Sequence, residues 1–127
     1  MKKLLFLALL AGGAWWYASR HFDFHDTLAY AKSHPSAVWA QPAVYSVGLV
    51  YYGRADYPKA QEAFTQLLTD YPTGQYTAHA LMRLSEVADE NRDYATEKQA
   101  LDRFLQDFPD DPNREIAQKR RDLLYNK

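Results

Sequence analysis

Apolar residues recur at steps of three and one over two stretches in the second half of the chain. In the first stretch they are Ala60, Ala63, Phe64, Leu67, Leu68 and Tyr71, and in the second Ala100, Leu101, Phe104, Leu105 and Phe108. This spacing puts one apolar stripe on a helix with 3.6 residues per turn. No segment alternates with period two for long enough to indicate a strand, so the sequence predicts an all-α fold.

The two stretches are copies of one unit, repeated at a spacing of 37 residues, because residues 57–72 align without a gap on residues 94–109. Five aligned pairs are identical: Tyr57 and Tyr94, Ala63 and Ala100, Leu68 and Leu105, Asp70 and Asp107, Pro72 and Pro109. A fixed period in this range predicts stacked supersecondary units. The predicted organisation is a half unit at 22–35, repeats at 40–72 and 77–109, and a capping helix at 113–125 within a domain spanning 21–127.

Short polar residues mark the predicted helix ends. Asp56 and Asp93 each precede the aromatic residue that opens a helix, where a carboxylate accepts hydrogen bonds from free backbone N–H groups. Gly53 and Asn91 come just after the preceding helices, where a left-handed residue closes the last turn. The sequence therefore predicts N-caps at the two aspartates and left-handed C-caps at Gly53 and Asn91.

This pattern resembles the tetratricopeptide repeat (TPR), whose unit is an antiparallel helix pair with small and large residues at set positions. In the first unit the eight family positions carry Val44, Val47, Gly48, Tyr51, Ala60, Phe64, Leu67 and Pro72. Gly48 and Ala60 are small where the two helices cross closely. In the second unit Glu97 replaces the small residue, which is a departure from the family pattern. The resemblance implies a short right-handed solenoid of stacked helix pairs.

The ends of the units indicate which group of TPR proteins the chain resembles. Each closes on an aromatic residue followed by proline and has three extra loop residues. These features resemble the TPR proteins of the bacterial envelope, such as the lipoprotein of the outer-membrane barrel-assembly machine and the Tol–Pal-associated coordinator. The resemblance implies a protein–protein interaction module and no catalysis.

The resemblance also implies a binding surface, since the first helix of each TPR pair lines the concave side of the stack. The residues expected there are Pro42, Tyr45, Leu49 and Tyr52 in one unit and His79, Met82, Glu86 and Asp89 in the next. The core of the first unit does not require Tyr45, Leu49 or Tyr52, so these side chains are expected to form an exposed aromatic stripe beside an acidic one. Such a surface is expected to bind a peptide or a partner helix. The alternative is that residues 22–33 or the terminal helix fold over this stripe.

The N-terminus has the composition of an export segment. Lys2 and Lys3 precede an apolar run at residues 4–18, whose far end carries the aromatic residues Trp15, Trp16 and Tyr17. A basic start and an apolar core are typical of export signals, and aromatic residues favour a membrane–water interface. As a helix the run is roughly 22 Å long, shorter than a hydrocarbon core of ~30 Å.

Three interpretations of residues 1–20 stay open: an uncleaved inner-membrane anchor, a signal peptide cleaved after Gly13 or Ala14, and a buried first helix of an additional repeat. The first two leave the repeats on the periplasmic side. The chain has no cysteine, which closes the lipoprotein route that some relatives use and rules out disulfide stapling.

Charge and motifs exclude several function classes. The net charge is −1, which gives no basic surplus for binding nucleic acid. No phosphate-binding loop, paired-histidine motif or nucleophile elbow is present, so neither enzyme activity nor a cofactor is expected. His21 and His25 are spaced for a shared metal ion beside Asp23 and Asp26, but a polar helix face explains them without a metal.

The terminal helix carries the remaining signals. Lys119, Arg120 and Arg121 form one basic cluster, read either as a solvated helix face or as a contact for anionic lipid or an acidic partner. A capping function is expected to turn one apolar side toward the stack, formed by Ile116, Ala117, Leu123 and Leu124.

The predicted function is an envelope interaction module that holds another protein or peptide segment, and the alternative is a self-assembling homo-oligomeric component.

Overall fold

The structure is a computed structural model that describes residues 2–21 and 24–125. These residues form seven α-helices and contain no strand. The helices are α1 (Lys2–His21), α2 (His25–Ser33), α3 (Ala40–Gly53), α4 (Tyr57–Asp70), α5 (Thr77–Glu90), α6 (Tyr94–Asp107) and α7 (Arg114–Leu124). The predicted all-α, TPR-like fold is confirmed.

From α2 onward, each helix packs against the next one in the chain. The most extensive contacts join α3 to α4 and α5 to α6, which are therefore the two helix pairs. Their four helices have 14 residues each. Both helices of the second pair begin 37 residues after their counterparts, and α7 begins 37 residues after α5. The terminal helix thus occupies the place of the first helix of a third unit.

The core lies between the two layers of helices, and its largest fully buried side chains include Phe64, Leu67, Leu81, Leu101 and Phe104. Gly48 allows the closest approach in the first pair. A Cβ atom at this glycine would lie 2.6 Å from Cε1 of the Phe64 ring, much closer than a carbon–carbon contact permits. The absence of a side chain at this position is therefore what lets Phe64 pack against α3.

The C-terminal ends of α3 and α5 correct one prediction. The left-handed residues are Ala55, with φ 59°, and Arg92, with φ 58°, and not Gly53 or Asn91. In both turns the amide after the left-handed residue donates to a carbonyl five residues earlier, at 2.9 and 2.8 Å. This is the Schellman closure, whose left-handed residue comes after the cap. Gly53 is still helical, so the sequence prediction placed the turn too early.

The N-cap prediction holds for one aspartate. The Asp93 carboxylate accepts hydrogen bonds from the Thr96 amide at 3.2 Å and the Thr96 hydroxyl at 2.7 Å. The Asp56 side chain makes no capping hydrogen bond and lies 3.9 Å from the Lys59 ammonium. The helix after Asp56 has proline in its first turn, and proline has no N–H to be capped.

The helix α1 exposes its apolar side chains from Leu4 to Tyr17. The interpretation of this segment as a buried first-repeat helix is therefore wrong. Among the described residues, none of the helices combines the length and apolar character needed to cross a membrane. The cleaved-signal and uncleaved-anchor interpretations stay predictions.

The short helix α2 is fixed to the first pair at its start. The Phe24 amide donates to the Tyr51 hydroxyl at 2.8 Å, and the two rings meet edge to face at 5.6 Å. Further along, Leu28 is buried and its carbonyl accepts a hydrogen bond from the Gln66 side chain at 2.9 Å. The half unit predicted at 22–35 therefore has a helix that packs on the stack, although residues 22 and 23 lie outside the described residues.

Candidate protein-binding surface

The first helices of successive units touch through individual side chains. Tyr45 of α3 and His79 of α5 have ring centroids 6.5 Å apart. The Arg120 guanidinium of α7 donates to the Ser85 hydroxyl of α5 at 2.8 Å. We call one surface of α3, α5 and α7 the inner face. It is formed by the eight predicted site residues on α3 and α5 and by the residues at the equivalent repeat positions on α7.

The structure distributes the eight predicted site residues between surface and core. His79 is exposed, whereas Met82 is only 8% exposed and packs in the core. The other six are half-buried: Pro42, Tyr45, Leu49, Tyr52, Glu86 and Asp89. The sequence suggested that the core does not require Tyr45 and Tyr52, but both rings pack against neighbouring aromatic side chains. The Tyr45 ring lies 5.8 Å from the Phe64 ring and 5.2 Å from the Tyr76 ring.

Arg83 is a polar member of this surface that the sequence analysis missed. Its guanidinium lies 3.2 Å from the Glu86 carboxylate, and a hydrogen bond with the Tyr45 hydroxyl raises the pKa of Arg83 above its ordinary value. The i, i+3 spacing of Arg83 and Glu86 was a signal that could have found this ion pair. Arg83 therefore joins the aromatic residues of α3 to the acidic residues of α5.

Aromatic and acidic side chains meet at Tyr52. Burial, together with the nearby carboxylates of Glu86 and Glu90, raises the pKa of Tyr52 above its ordinary value. The Tyr52 ring packs edge-on against Tyr57 with centroids 5.8 Å apart. Glu90 was also missed, although it follows Glu86 by one helical turn. Tyr52, near the C-terminal end of α3, therefore lies within electrostatic reach of the acidic residues near the C-terminal end of α5.

The side opposite the inner face has an open pocket of about 590 Å³ between α4 and the turn that joins α5 to α6. Three of the polar side chains that line it bond to one another. The Asn91 amide donates to the Tyr57 carbonyl at 3.0 Å and to the Gln61 side chain at 2.7 Å. Gln61 in turn donates to the Asp93 carboxylate at 2.8 Å. This network joins the two repeats, and we assign it a structural role.

The basic cluster of α7 is not the solvated face that the sequence suggested. Arg120 is half-buried and lies 3.2 Å from the Glu97 carboxylate. Arg121 is half-buried as well, and its ion pair with Asp102 has a separation of 2.5 Å. Both arginines therefore attach α7 to α6, and only Lys119 of the cluster is exposed.

The apolar side of α7 also differs from the prediction. Ala117 is buried and Leu124 half-buried, but Ile116 and Leu123 are 53% and 61% exposed. The repeat spacing explains this, because Ile116 and Leu123 fall 37 residues after His79 and Glu86. These two residues therefore belong to the inner face and not to the capping contact. The apolar pattern of α7 alone does not separate them from Ala117 and Leu124, whereas the repeat spacing does.

No group of three or more histidine or acidic side chains among the described residues is arranged to hold a metal ion. The pair considered in the sequence, His21 and His25 with Asp23, lies outside the described residues and side chains.

A family comparison identifies the repeats. The family model YfiO, described as an outer membrane lipoprotein, matches residues 39–118. The chain belongs to the YfiO family. The match begins one residue before α3 and ends within α7, so it covers both helix pairs. The predicted resemblance to TPR-type envelope proteins is confirmed. No curated protein matches the chain.

Proposed function

We propose that this YfiO-family chain is a non-catalytic interaction module of the bacterial cell envelope that binds a partner protein on its inner face. The observation that carries the proposal is that Tyr52 and Glu86, both half-buried, lie within electrostatic reach of each other and of the exposed Glu90. Tyrosine is among the side chains that contribute most to protein recognition. The family description, an outer membrane lipoprotein, supports an envelope location.

A site-specific photo-crosslinking residue tests the binding surface. It is placed at His79, which is exposed on the inner face, and separately at Gln99, which is exposed on α6. We expect discrete adducts in intact cells from position 79 and none from position 99. Tyr52→Ala is expected to remove the adducts of position 79 without changing the amount of protein. Equal crosslinking from both positions would contradict the proposal.

We also propose that the repeats lie on the periplasmic side of the inner membrane, delivered there by residues 1–20. The support is the basic start at Lys2 and Lys3 followed by a helix with exposed apolar side chains. Because the 127 residues include no cysteine, the lipid attachment named in the family description has no acceptor cysteine among them. A C-terminal alkaline phosphatase fusion should be active, and N-terminal sequencing of the mature protein separates an anchor from a cleaved signal. An inactive phosphatase fusion together with a fluorescent cytoplasmic fusion would refute export.

A second candidate function is self-assembly, favoured by apolar side chains at both ends of the stack. Val38 is 96% exposed beside Trp39, whose ring stacks on Tyr30 with centroids 5.4 Å apart. At the other end Tyr125 is exposed just after α7. Light scattering coupled to size exclusion decides between the two functions, because an interaction module stays monomeric at micromolar concentration and a stacking component does not.

A further inference from the structure

Exposed apolar side chains form a surface at the N-terminal end of the stack. The Tyr30 ring of α2 stacks on the Trp39 ring with centroids 5.4 Å apart, and both rings are exposed. Val38, next to Trp39, is exposed as well. Val50 is exposed on the same side of α3 as Trp39, about three turns later. We call Tyr30, Val38, Trp39 and Val50 the end face.

The end face is exposed because no complete repeat packs in front of α3. Val50 and Val87 are equivalent residues of the two repeats, but Val50 is 39% exposed and Val87 is fully buried. Tyr30 is exposed, whereas Leu67, its equivalent on α4, is buried. A full helix pair precedes α5, but among the described residues only the nine-residue α2 packs extensively on α3 from that side. The end face therefore lies where the helices of a preceding repeat would pack.

The fold does not require an apolar residue at position 38. The equivalent residues of the two later loops are Gln75 and Pro112, and the Val38 side chain is almost fully exposed. The loop that carries Val38 is nevertheless held in one conformation, since the Tyr71 hydroxyl donates to the Pro35 carbonyl at 2.7 Å. An apolar side chain on a fixed, exposed loop is typical of a surface that contacts another molecule.

The end face lies in a part of the chain that has no acidic residue. None of residues 27–55 is aspartate or glutamate, although the whole chain has 16 of them. The charged residues of this range are Lys32, exposed on α2, and Arg54, whose guanidinium lies over the Phe24 ring. The acidic residue before the range is Asp26, one turn before Tyr30. The surface is therefore apolar with a small positive charge.

The other end of the stack has a different character. The exposed charged residues of α7 are Arg114, Glu115, Lys119 and Asp122. A second copy stacked head to tail would place the end face against these charges, which would have to lose their water. A lipid surface imposes no such cost, since its headgroup region accepts aromatic rings beside apolar side chains.

The sequence also keeps the end face close to residues 1–20. Four residues of extended chain span at most about 14 Å and five helical residues about 7.5 Å, so Tyr30 lies within about 22 Å of the end of α1. If α1 enters a membrane, the end face meets the same membrane at a high effective concentration. A contact of low intrinsic affinity is then sufficient.

We propose that the end face is a second membrane contact, which lies in the headgroup region of the bilayer that residues 1–20 enter. The rings of Tyr30 and Trp39 lie among the headgroups, Val38 reaches toward the acyl chains, and Lys32 is attracted by anionic phosphates. This inference rests on the proposed delivery of the chain to the inner membrane. It adds an orientation, in which α2 and α3 face the bilayer and α7 is the helix farthest from it.

Tryptophan fluorescence tests the inference with the full chain in vesicles of phosphatidylethanolamine and phosphatidylglycerol. The chain has three tryptophans, so Trp15→Phe and Trp16→Phe leave Trp39 as the only one. Flotation of the vesicles measures whether the chain is bound. We expect lipid with brominated acyl chains to quench Trp39 relative to unbrominated lipid, and iodide in solution to quench it only weakly.

A matched probe occupies the equivalent loop of the next repeat. Gln75→Trp, combined with phenylalanine at the three natural tryptophan positions, puts the only tryptophan at an exposed position outside the end face. We expect iodide to quench this probe and brominated lipid to leave its emission unchanged. Equal quenching of the two probes by brominated lipid would contradict the proposed orientation.

A pair of charge variants assigns the contact to the end face. Val38→Asp should abolish the quenching of Trp39 by brominated lipid, because a carboxylate at this position opposes entry into an anionic bilayer. Gln75→Asp is the control and should leave the quenching unchanged. Both side chains are exposed, so circular dichroism should show the same helical content in both variants, and both should still float with the vesicles.

The inference would be overturned if the chain floats with the vesicles while brominated lipid leaves Trp39 unquenched. That result would leave the proposed membrane delivery intact. A Trp39 emission that follows the protein-to-lipid ratio and not the bromination would assign the end face to a second copy, and would also overturn the inference. If the chain does not float, the proposed delivery by residues 1–20 is wrong together with the inference.

Discussion

The guanidinium of Arg120 lies 3.2 Å from the carboxylate of Glu97, which is only 3% exposed. The same guanidinium donates to the Ser85 hydroxyl at 2.8 Å, so one side chain of α7 contacts both helices of the second pair. Glu97 occupies the place that Ala60 has in the first unit, where the family pattern requires a small residue. The terminal helix thus supplies the charge that makes a glutamate acceptable there.

Arg120→Ala should therefore be strongly destabilising. Removing one partner of a buried ion pair leaves an uncompensated charge and costs about 3–5 kcal/mol. The matched control is Arg121→Ala, whose ion pair with Asp102 is more than one-third exposed on both sides, so we expect a cost of at most about 1 kcal/mol. Urea denaturation followed by circular dichroism measures both values.

A second substitution tests the cause of this loss. In the Arg120→Ala background, Glu97→Ala removes the buried charge and restores the small residue of the repeat pattern. We expect it to recover most of the lost free energy of unfolding, since an ion pair replaced on both sides by apolar residues is often neutral. If Glu97→Ala lowers stability further in that background, the carboxylate is not the source of the penalty.

The same ion pair shows what the sequence could and could not predict. The 37-residue period and the apolar stripes predicted the helix pairs because they depend on local spacing alone. The sequence also showed that Glu97 departs from the pattern. It did not show that Arg120 compensates the charge, because that contact joins residues 23 positions apart through the packing of α7.

The sequence predicted which helix positions form the candidate site, but it did not predict how exposed their side chains are. The repeat placed Tyr45 and Met82 on the first helices, but the structure packs Met82 into the core and Tyr45 against Phe64. Exposure depends on how closely neighbouring units stack, which a single-helix pattern does not contain. The prediction that Ile116 belongs to the capping contact is wrong because Ile116 is exposed. The 37-residue period, applied to the terminal helix, places Ile116 on the inner face at the position equivalent to His79.

Asp93→Ala should destabilise the second helix pair more than Asp56→Ala destabilises the first. Asp93 caps α6 and accepts a hydrogen bond from Gln61, whereas Asp56 at the equivalent position makes no capping bond. Loss of an N-cap costs about 0.5–2 kcal/mol, so we expect the upper half of this range for Asp93. For Asp56, whose ion pair with Lys59 is exposed, the expected cost is below about 0.5 kcal/mol.

The contribution of Asp93 should also depend on pH. Hydrogen bonds from the Thr96 hydroxyl, from Gln61 and from the Thr96 amide hold the pKa of Asp93 below its ordinary value. A carboxyl with a lowered pKa in the folded state stabilises the protein above its unfolded pKa of about 3.9. This stabilisation is lost as the pH falls through the folded value. The difference between wild type and Asp93→Ala in thermal melts should thus be full at neutral pH and shrink below about pH 4. A difference that stays constant down to pH 2 would contradict the assignment.

Gly48→Ala should cost far more than Gly53→Ala, although both glycines lie in α3. A Cβ at position 48 would meet the Phe64 ring at 2.6 Å, and that ring is fully buried. Overpacking of this kind costs about 1–3 kcal/mol, and Gly48→Leu should cost more. At position 53 no atom lies within 4 Å of the added Cβ, so alanine should be neutral or stabilise the helix by about 0.5–1 kcal/mol.

The double variant Gly48→Ala, Phe64→Leu separates a steric clash from a general loss of stability. Leucine is smaller than phenylalanine and leaves space for the new methyl group, and the second unit already has Leu101 at the position of Phe64. We expect the double variant to be less destabilised than the sum of the two single variants, because contacting residues couple by about 0.5–3 kcal/mol. Additive costs in urea denaturation, or a Gly48→Ala protein as stable as Gly53→Ala, would show that this helix crossing does not depend on the missing side chain.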